Sequence, residues 1–364
     1  MDIKVITRHA VPNYGSLLQA IATQTIIEQL GHKCEIIDYY RDEERGLKGI
    51  LTWLRGKKGW NDNFLKKMAY MAFRYPEEKT AEMKFSRMCS KYLKLTQHCC
   101  NVNDLEKLNA DAFMTGSDQV WGLTLNDRYD EAYFLSFVKN KRKIACAASF
   151  GRTDFSDEIA SDYKRLLSDY DAISVREDSA VKLLEDWGIG CAGQVLDPTL
   201  MHTSDYWNQY ITKPINNKYV LVYQIHNCPK LNYYAKKFAK QVGLPLIRVS
   251  PYLHQIVRGG KLCCLPDVGE FLSYIKHCSY LITDSFHGTA FALTFNKQFI
   301  EVLEDEIAGL RNKSILRLTN LENRIVTDVN DFSSSDKYID FKPVNSILSE
   351  ERERSLQILK SILK

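Results

Sequence analysis

Residues Asp2–Tyr40, DIKVITRHAVPNYGSLLQAIATQTIIEQLGHKCEIIDYY, decide the fold class. The apolar run IKVIT is followed by a polar loop, RHAVPNYG, at 8–15. The next segment, SLLQAIATQTIIEQL, carries apolar residues at helical spacing and stops at Gly31, a residue type that ends helices because the left-handed conformation costs it no Cβ clash. A second apolar run, CEIIDYY, begins at Cys34. Strand, crossover helix and strand within about 40 residues imply parallel pairing, because a helical return lays the second strand beside the first in the same direction.

The same alternation resumes after a helical insertion at about 46–95. Short apolar runs occur in DAFMTGSD, KIACAASFG, YDAISVRED and AGQVLDPTL. A second series starts at NKYVLVYQIHN and continues through LPLIRVS, SYLITDS and KQFIEVL, with helical segments between. The polar stretch SDYWNQYITKPINN separates the two series. The chain therefore reads as α/β, with two Rossmann-like parallel-sheet domains. The expected boundaries are 1–205 for the first, 206–345 for the second, and 346–364 for a final helix packing back toward the first.

Composition removes several classes. With 364 residues, 45% of them hydrophobic and 26% charged, the chain can bury two cores, and disorder is excluded. A net charge of +4 argues against a nucleic-acid ligand, which calls for a concentrated basic face. Ten cysteines diluted over this length, with Cys34, Cys146 and Cys278 inside regular segments, read as reduced thiols. The adjacent pairs Cys99-Cys100 and Cys263-Cys264 lack a zinc or redox spacing, so no metal site is expected. The N-terminus lacks the signal-peptide pattern, and no window is apolar enough to span a bilayer. Only Lys48–Arg74 departs from this: it mixes Lys and Arg with Trp53, Trp60, Phe64 and Phe73, which fits either a solvated helical insertion or contact with a membrane surface.

In open α/β sheets, ligands gather beyond the carboxyl ends of the strands. Ser117, Asp118, Ser149, Arg176 and Asp197 are expected there. Asp118 reads as a base or an N-cap, Trp121 as a stacking platform or core, and Arg176 as an anion clamp or the partner of Glu177 or Asp178. The loop Arg8–Gly15 opens a helix and could hold an anion on its amides, although it is neither GxGxxG nor GxxxxGK[ST]. The sharpest local signal is ITDSFHGTAFAL, which places Thr283, Asp284, Ser285 and His287 between a strand and a helix. Capping explains the hydroxyls and carboxylate; it does not call for a histidine, which can move protons near neutral pH.

Five blocks in order, NYGSLLQAIATQTIIEQLGH with IIDYY, DAFMTGSDQVW, ISVREDSAVKLLEDWGI with VLDPTL, YLITDSFHGTAFALTFNKQFI and RNKSILRLTNLENRIV, resemble the polysaccharide pyruvyl transferase family. The resemblance implies a glycosyltransferase-B-like pair of domains and a cytoplasmic enzyme of bacterial surface-polysaccharide assembly, working at the inner face of the plasma membrane. It implies transfer of the pyruvyl group of phosphoenolpyruvate to a sugar as a cyclic ketal, with no cofactor or metal and with an acceptor whose lipid or nucleotide carrier stays open. His287 would be the acid or base, with Asp118 or Asp284 as partner. Arg8, Arg152, Arg176 and Arg311 would supply positive charge, and Asn13, Tyr14, Gly15, Ser117, Trp121, Ser285 and Gly288 would line the substrates. One position departs from the family pattern. Where its last motif commonly reads Arg-Leu-His, this chain has Ser285, Phe286 and His287, so the motif arginine is missing. Two alternatives remain: a glycosyltransferase using a nucleotide sugar on the same scaffold, and a sugar-binding protein without turnover.

Overall fold

The computed structural model describes residues 1–41, 44–55, 63–124, 128–304, 309–333 and 336–364. Trp60 and the side chain of Trp53 lie outside the described residues.

The first sheet holds β1 (Asp2–Ile6), β2 (Lys33–Ile36), β3 (Ala112–Thr115), β4 (Arg142–Ala148), β5 (Ala172–Val175) and β6 (Gly193–Gln194) in the order β2-β1-β3-β4-β5-β6. The opening unit is parallel, with Lys4 opposite Glu35, and the Lys4 ammonium sits 2.6 Å from the Glu35 carboxylate. Helix α1 (Tyr14–Gln29) is buried over most of its surface, its polar residues included: Gln19 donates to the Thr7 hydroxyl and Thr23 to the Gln19 carbonyl. Asn13 caps it by accepting from the Gly15 amide, and Gly31 leaves it at φ +87°.

The insertion consists of α2 (Gly46–Arg55) and the long α3 (Phe64–Tyr92), which pack together. A short α4 (Val102–Leu105) leads into β3, α5 (Asp157–Leu167) joins β4 to β5, and α6 (Asp178–Asp186) follows β5. Trp121, Phe134, Phe150, Tyr163 and Trp187 form an aromatic core below this sheet.

Two short helices, α7 (Pro198–Met201) and α8 (Ser204–Asn208), precede the second sheet. That sheet has β7 (Val220–Tyr223), β8 (Leu246–Ser250), β9 (Lys261–Cys264), β10 (Tyr280–Thr283) and β11 (Gln298–Glu301), in the order β11-β10-β7-β8-β9 and parallel throughout. Strand β9 is not expected from the sequence, since its four residues KLCC sit between Gly259-Gly260 and Pro266 and read as loop.

Around these strands lie α9 (Pro229–Gln241), α10 (Val268–His277), α11 (Phe286–Thr294), α12 (Leu310–Leu318) and α13 (Phe341–Ile362). Helix α10 starts with a capping box between Asp267 and Glu270. The core of this half is Val220, Val222, Leu231, Tyr234, Phe238, Ile282 and Ile300, formed where α9 crosses the strands.

By contact, the chain divides into two compact units. One comprises Met1–Phe150, Asp154–Ser174 and Glu185–Cys191, and the other Gly151–Thr153, Val175–Leu184 and Ala192–Lys364. Arg176, read from the sequence as a first-domain residue, thus belongs with His287. No disulfide joins the ten cysteines. No helix among the described residues is long and apolar enough to cross a membrane.

Candidate functional site

The second unit gathers its chemistry where β10 gives way to α11. Thr283 ends the strand by donating its hydroxyl to the Tyr223 carbonyl and accepting from the Ser285 amide. Ser285 caps α11, accepting from the Gly288 amide at 3.3 Å. A Cβ on Gly288 would fall 2.4 Å from the Thr283 hydroxyl, so the first turn of α11 sits directly on the strand end and leaves room for glycine alone. This close seat fixes the helix that carries His287, whose side chain is only 6% exposed.

His287 faces Asp197, with Nε2 3.8 Å from Oδ2. The same Asp197 oxygen accepts from Arg176 Nη1 at 2.8 Å, while Oδ1 caps α7 by accepting from the Thr199 amide and hydroxyl. Burial alone would raise the Asp197 carboxyl. The neighbouring His287, the Arg176 guanidinium and the Thr199 hydroxyl outweigh it and hold the carboxyl well below the usual carboxylate range. Asp197 is therefore an ionised group joining a cation and an imidazole.

Arg176 is itself oriented from three sides. Its guanidinium lies 4.5 Å over the Phe286 ring, its Nε is 3.8 Å from Glu177, and its carbonyl accepts from Gln194. Gln194 also binds Ser314 of α12, and Ser314 accepts from the Asp178 amide. Helix α12 thereby brings Arg311 to a recess that Arg176, Asp197 and Phe286 also line. Two guanidiniums and an ionised carboxylate thus line one small recess, and the His287 imidazole lies against the same carboxylate.

The other expected residues fall elsewhere. Asp284 is engaged by the loop after β7: its two oxygens accept from the Ile225 and His226 amides at 2.8 and 2.9 Å, and the His226 ring lies 3.4 Å away. Its role in this geometry is to pin the loop after β7. Arg152 is half-buried in the loop after β4.

In the first unit, Asp118 stands at positive φ (73°) and accepts from the Ser16 hydroxyl at 2.7 Å. Ser117 donates its hydroxyl to the Ala147 carbonyl. Arg8 is held by Glu44 at 2.9 Å, and the nearby Glu44 charge is what raises its pKa most. Tyr14 is buried against Phe85, and Asn13 and Gly15 form the cap of α1. Trp121 cannot offer a stacking face to a sugar in this structure: it is wholly buried among Phe134 and Phe150, with its indole N–H given to the Tyr133 carbonyl.

Asp197 is expected from the sequence at a strand end with Arg176 but carries no chemical role there. In the structure one Asp197 oxygen caps α7 ahead of Pro198, and the other, free of that task, meets Arg176 and His287. Among the described residues, no three of His, Cys, Asp or Glu come together as metal ligands.

The profile of one family, polysaccharide pyruvyl transferase, matches residues 13–305. No protein with curated annotation matches the chain. Among solved structures, a UDP co-structure of MnaA from S. aureus superposes with TM-score 0.53 at 13% identity, covering 100% of this chain and 96% of that one. A UDP-N-acetylglucosamine 2-epimerase from Rickettsia bellii gives TM-score 0.52 at 12% identity, covering 99% and 96%. At such identities the likeness is one of fold: α/β, with two parallel sheets and their helices.

Proposed function

Because the chain belongs to the polysaccharide pyruvyl transferase family, we propose that it moves the pyruvyl group of phosphoenolpyruvate onto two hydroxyls of a sugar, forming a cyclic ketal and inorganic phosphate. The observation that carries this reading is the Arg176–Asp197–His287 cluster, held in one compact unit, in which Arg176 and Asp197 line a small recess with Arg311.

Each residue then has a role. The methylene carbon of the donor takes a proton while one sugar hydroxyl adds to the neighbouring carbon and loses its own. The second hydroxyl displaces phosphate from that carbon and loses its proton. Two C–O bonds form and one breaks; one released proton is consumed at the methylene, and the other leaves with phosphate. His287 is the proton donor, and Asp197 orients its ring. Asp197 thus takes the partner role that the sequence offered to Asp118 or Asp284. Proton transfer from a positioned side chain contributes about 10²–10⁴ in rate. Arg176 and Arg311 grip the carboxylate and phosphate. Together they stand in for the motif arginine replaced by Ser285, whose hydroxyl is used as a cap. Their pull on developing negative charge is strongest where water is scarce.

The acceptor is a sugar of bacterial surface polysaccharide, met at the inner face of the plasma membrane. The insertion supports that location. Leu65, Met68, Ala69, Ala72 and Phe73 recur at helical spacing on α3 and are all exposed, Phe73 at 83%, beside exposed Lys48, Arg55 and Lys66. An apolar stripe among cations suits an anionic bilayer surface.

The test is incubation of the protein with phosphoenolpyruvate and a panel of galactosyl and related acceptors, reading phosphate release and the mass of the ketal. Phosphate release coupled to an acceptor gaining the ketal mass is expected. Turnover of a nucleotide sugar with no phosphate released from phosphoenolpyruvate would overturn the reading in favour of a glycosyltransferase.

A further inference from the structure

Charge is unevenly divided along the chain. Between Asp205 and Asp267 there are nine Lys and Arg residues and no Asp or Glu, whereas the whole chain has 49 basic and 45 acidic residues, so the remainder is net acidic. The segment supplies α9 and the strands β7, β8 and β9, all within the second compact unit. Lys230, Lys236, Lys237 and Lys240 are exposed on α9, and Lys261 is exposed at the start of β9, the outermost strand of the sheet.

Within this cationic segment, the 3₁₀ turn Leu253–Arg258 between β8 and β9 has its polarity reversed. Its polar Gln255 is buried, while Leu253, Ile256 and Val257 are 59%, 57% and 83% exposed. The turn is held in place. Arg258 at its end donates to Asn227 at 2.9 Å, and Gly259 and Gly260, at φ +83° and +84°, carry the chain from it into β9. A Cβ on Gly259 would fall 2.6 Å from Lys236 Cε, so the Lys236 side chain of α9 lies directly against the end of the turn. Ile225, in the loop that Asn227 ties to the turn, is a fourth exposed aliphatic residue. One exposed aliphatic side chain is ordinary. Three on a single turn, with the polar residue facing inward, call for an apolar partner. The cations beside them, Arg258, Lys236 and Lys261, call for that partner to carry negative charge.

We propose that this face of the second unit docks on an anionic lipid bilayer, with the Leu253–Arg258 turn entering the headgroup layer and the lysines of α9 and β9 resting on lipid phosphates. A bilayer supplies both halves of the match, negative charge at its surface and hydrocarbon beneath. A nucleic acid would supply the charge alone, and stacking on its bases would call for aromatic side chains in place of aliphatic ones. The contact is separate from the α3 stripe, which belongs to the first unit. It does not rest on the pyruvyl-transfer reading, since no substrate takes part in it.

The test sediments the whole protein, without substrates, with vesicles of equal parts phosphatidylglycerol and phosphatidylcholine, and separately with phosphatidylcholine alone. Wild type should pellet with the first far more than with the second. Ile256→Ser with Val257→Ser should lower the partition coefficient about tenfold, and Lys236→Gln with Lys261→Gln by a similar factor. Either pair, added to Leu65→Ser with Phe73→Ser, should remove the binding that the α3 variant keeps. All these residues are exposed, so melting temperatures should stay at the wild-type value. In Val257→Trp, brominated lipid tails should quench emission beyond the quenching seen in wild type, which places the turn itself inside the layer. No pelleting of wild type, equal binding to both vesicle types, full binding by the Ile256→Ser, Val257→Ser protein, or no added quenching in Val257→Trp would overturn the proposal. Loss of binding with the lysine substitutions alone would also overturn it, and would point this face toward an acidic protein or a nucleic acid.

Discussion

His287 Nε2 faces Asp197 Oδ2 at 3.8 Å within a single compact unit. On the pyruvyl-transfer reading, this contact orients the imidazole for proton transfer to the donor. His287→Asn should keep the fold and much of the donor affinity, because the amide fills similar space. Turnover should fall by roughly 10² or more. Ketal formation near the wild-type rate in that variant would remove the histidine from the mechanism.

Arg176 and Arg311 should affect the donor differently from the histidine. Arg176→Lys replaces a planar fork with a point charge, so the apparent KM for phosphoenolpyruvate should rise, with kcat less affected. Arg311→Gln, on the half-buried first turn of α12, should raise the same KM without loss of thermal stability. Unchanged KM in both variants would move the donor away from this recess.

Glu301 makes the second unit sensitive to pH in an unusual direction. Burial pushes its carboxyl from the ordinary 4.5 up to about 7, against the hydrogen bond it accepts from Thr289. The folded protein therefore holds this proton where the unfolded chain would release it. The resulting stability is whole below about pH 4.5 and is lost as pH rises toward 7, by on the order of 3 kcal/mol. Asp197 acts oppositely, contributing above its unfolded pKa and failing as pH falls. Glu301→Gln should flatten the decline in urea midpoint between pH 5 and pH 8; a decline as steep as that of wild type would refute the assignment.

The apolar stripe of α3 predicts binding to vesicles rich in phosphatidylglycerol. Leu65→Ser with Phe73→Ser should reduce co-sedimentation several-fold, and added salt should weaken what remains. Equal pelleting of variant and wild type, or none by either, would argue against a membrane contact here.

Much of the fold is legible in the sequence because its signals are local. The switch from a strand run to helical spacing and back is repeated from Ile3 to Ile300, and several helix starts carry a side-chain cap, as at Asn13, Asp267 and Ser285. Strand β9 escapes notice because four residues between glycines and a proline are too short to show a period. The candidate site is less legible, since its partners come from distant segments. Arg176 and Asp197 are 21 residues apart, and Asp197 and His287 meet only after a further sheet has formed. Burial is equally hidden: nothing local tells that Trp121 lies in the aromatic core or that Asp284 is spent on two amides.

The contact between Gly288 and Thr283 bears on how the donor is met. With no side chain on Gly288, the first turn of α11 rests directly on the Thr283 side chain, which is tied to the Tyr223 carbonyl. His287 therefore takes its position from the end of β10, and on the pyruvyl-transfer reading it is aligned before the donor arrives. The ordering of this group is completed during folding, which leaves less conformational entropy to be lost on binding and more of the contact energy for the bond changes themselves.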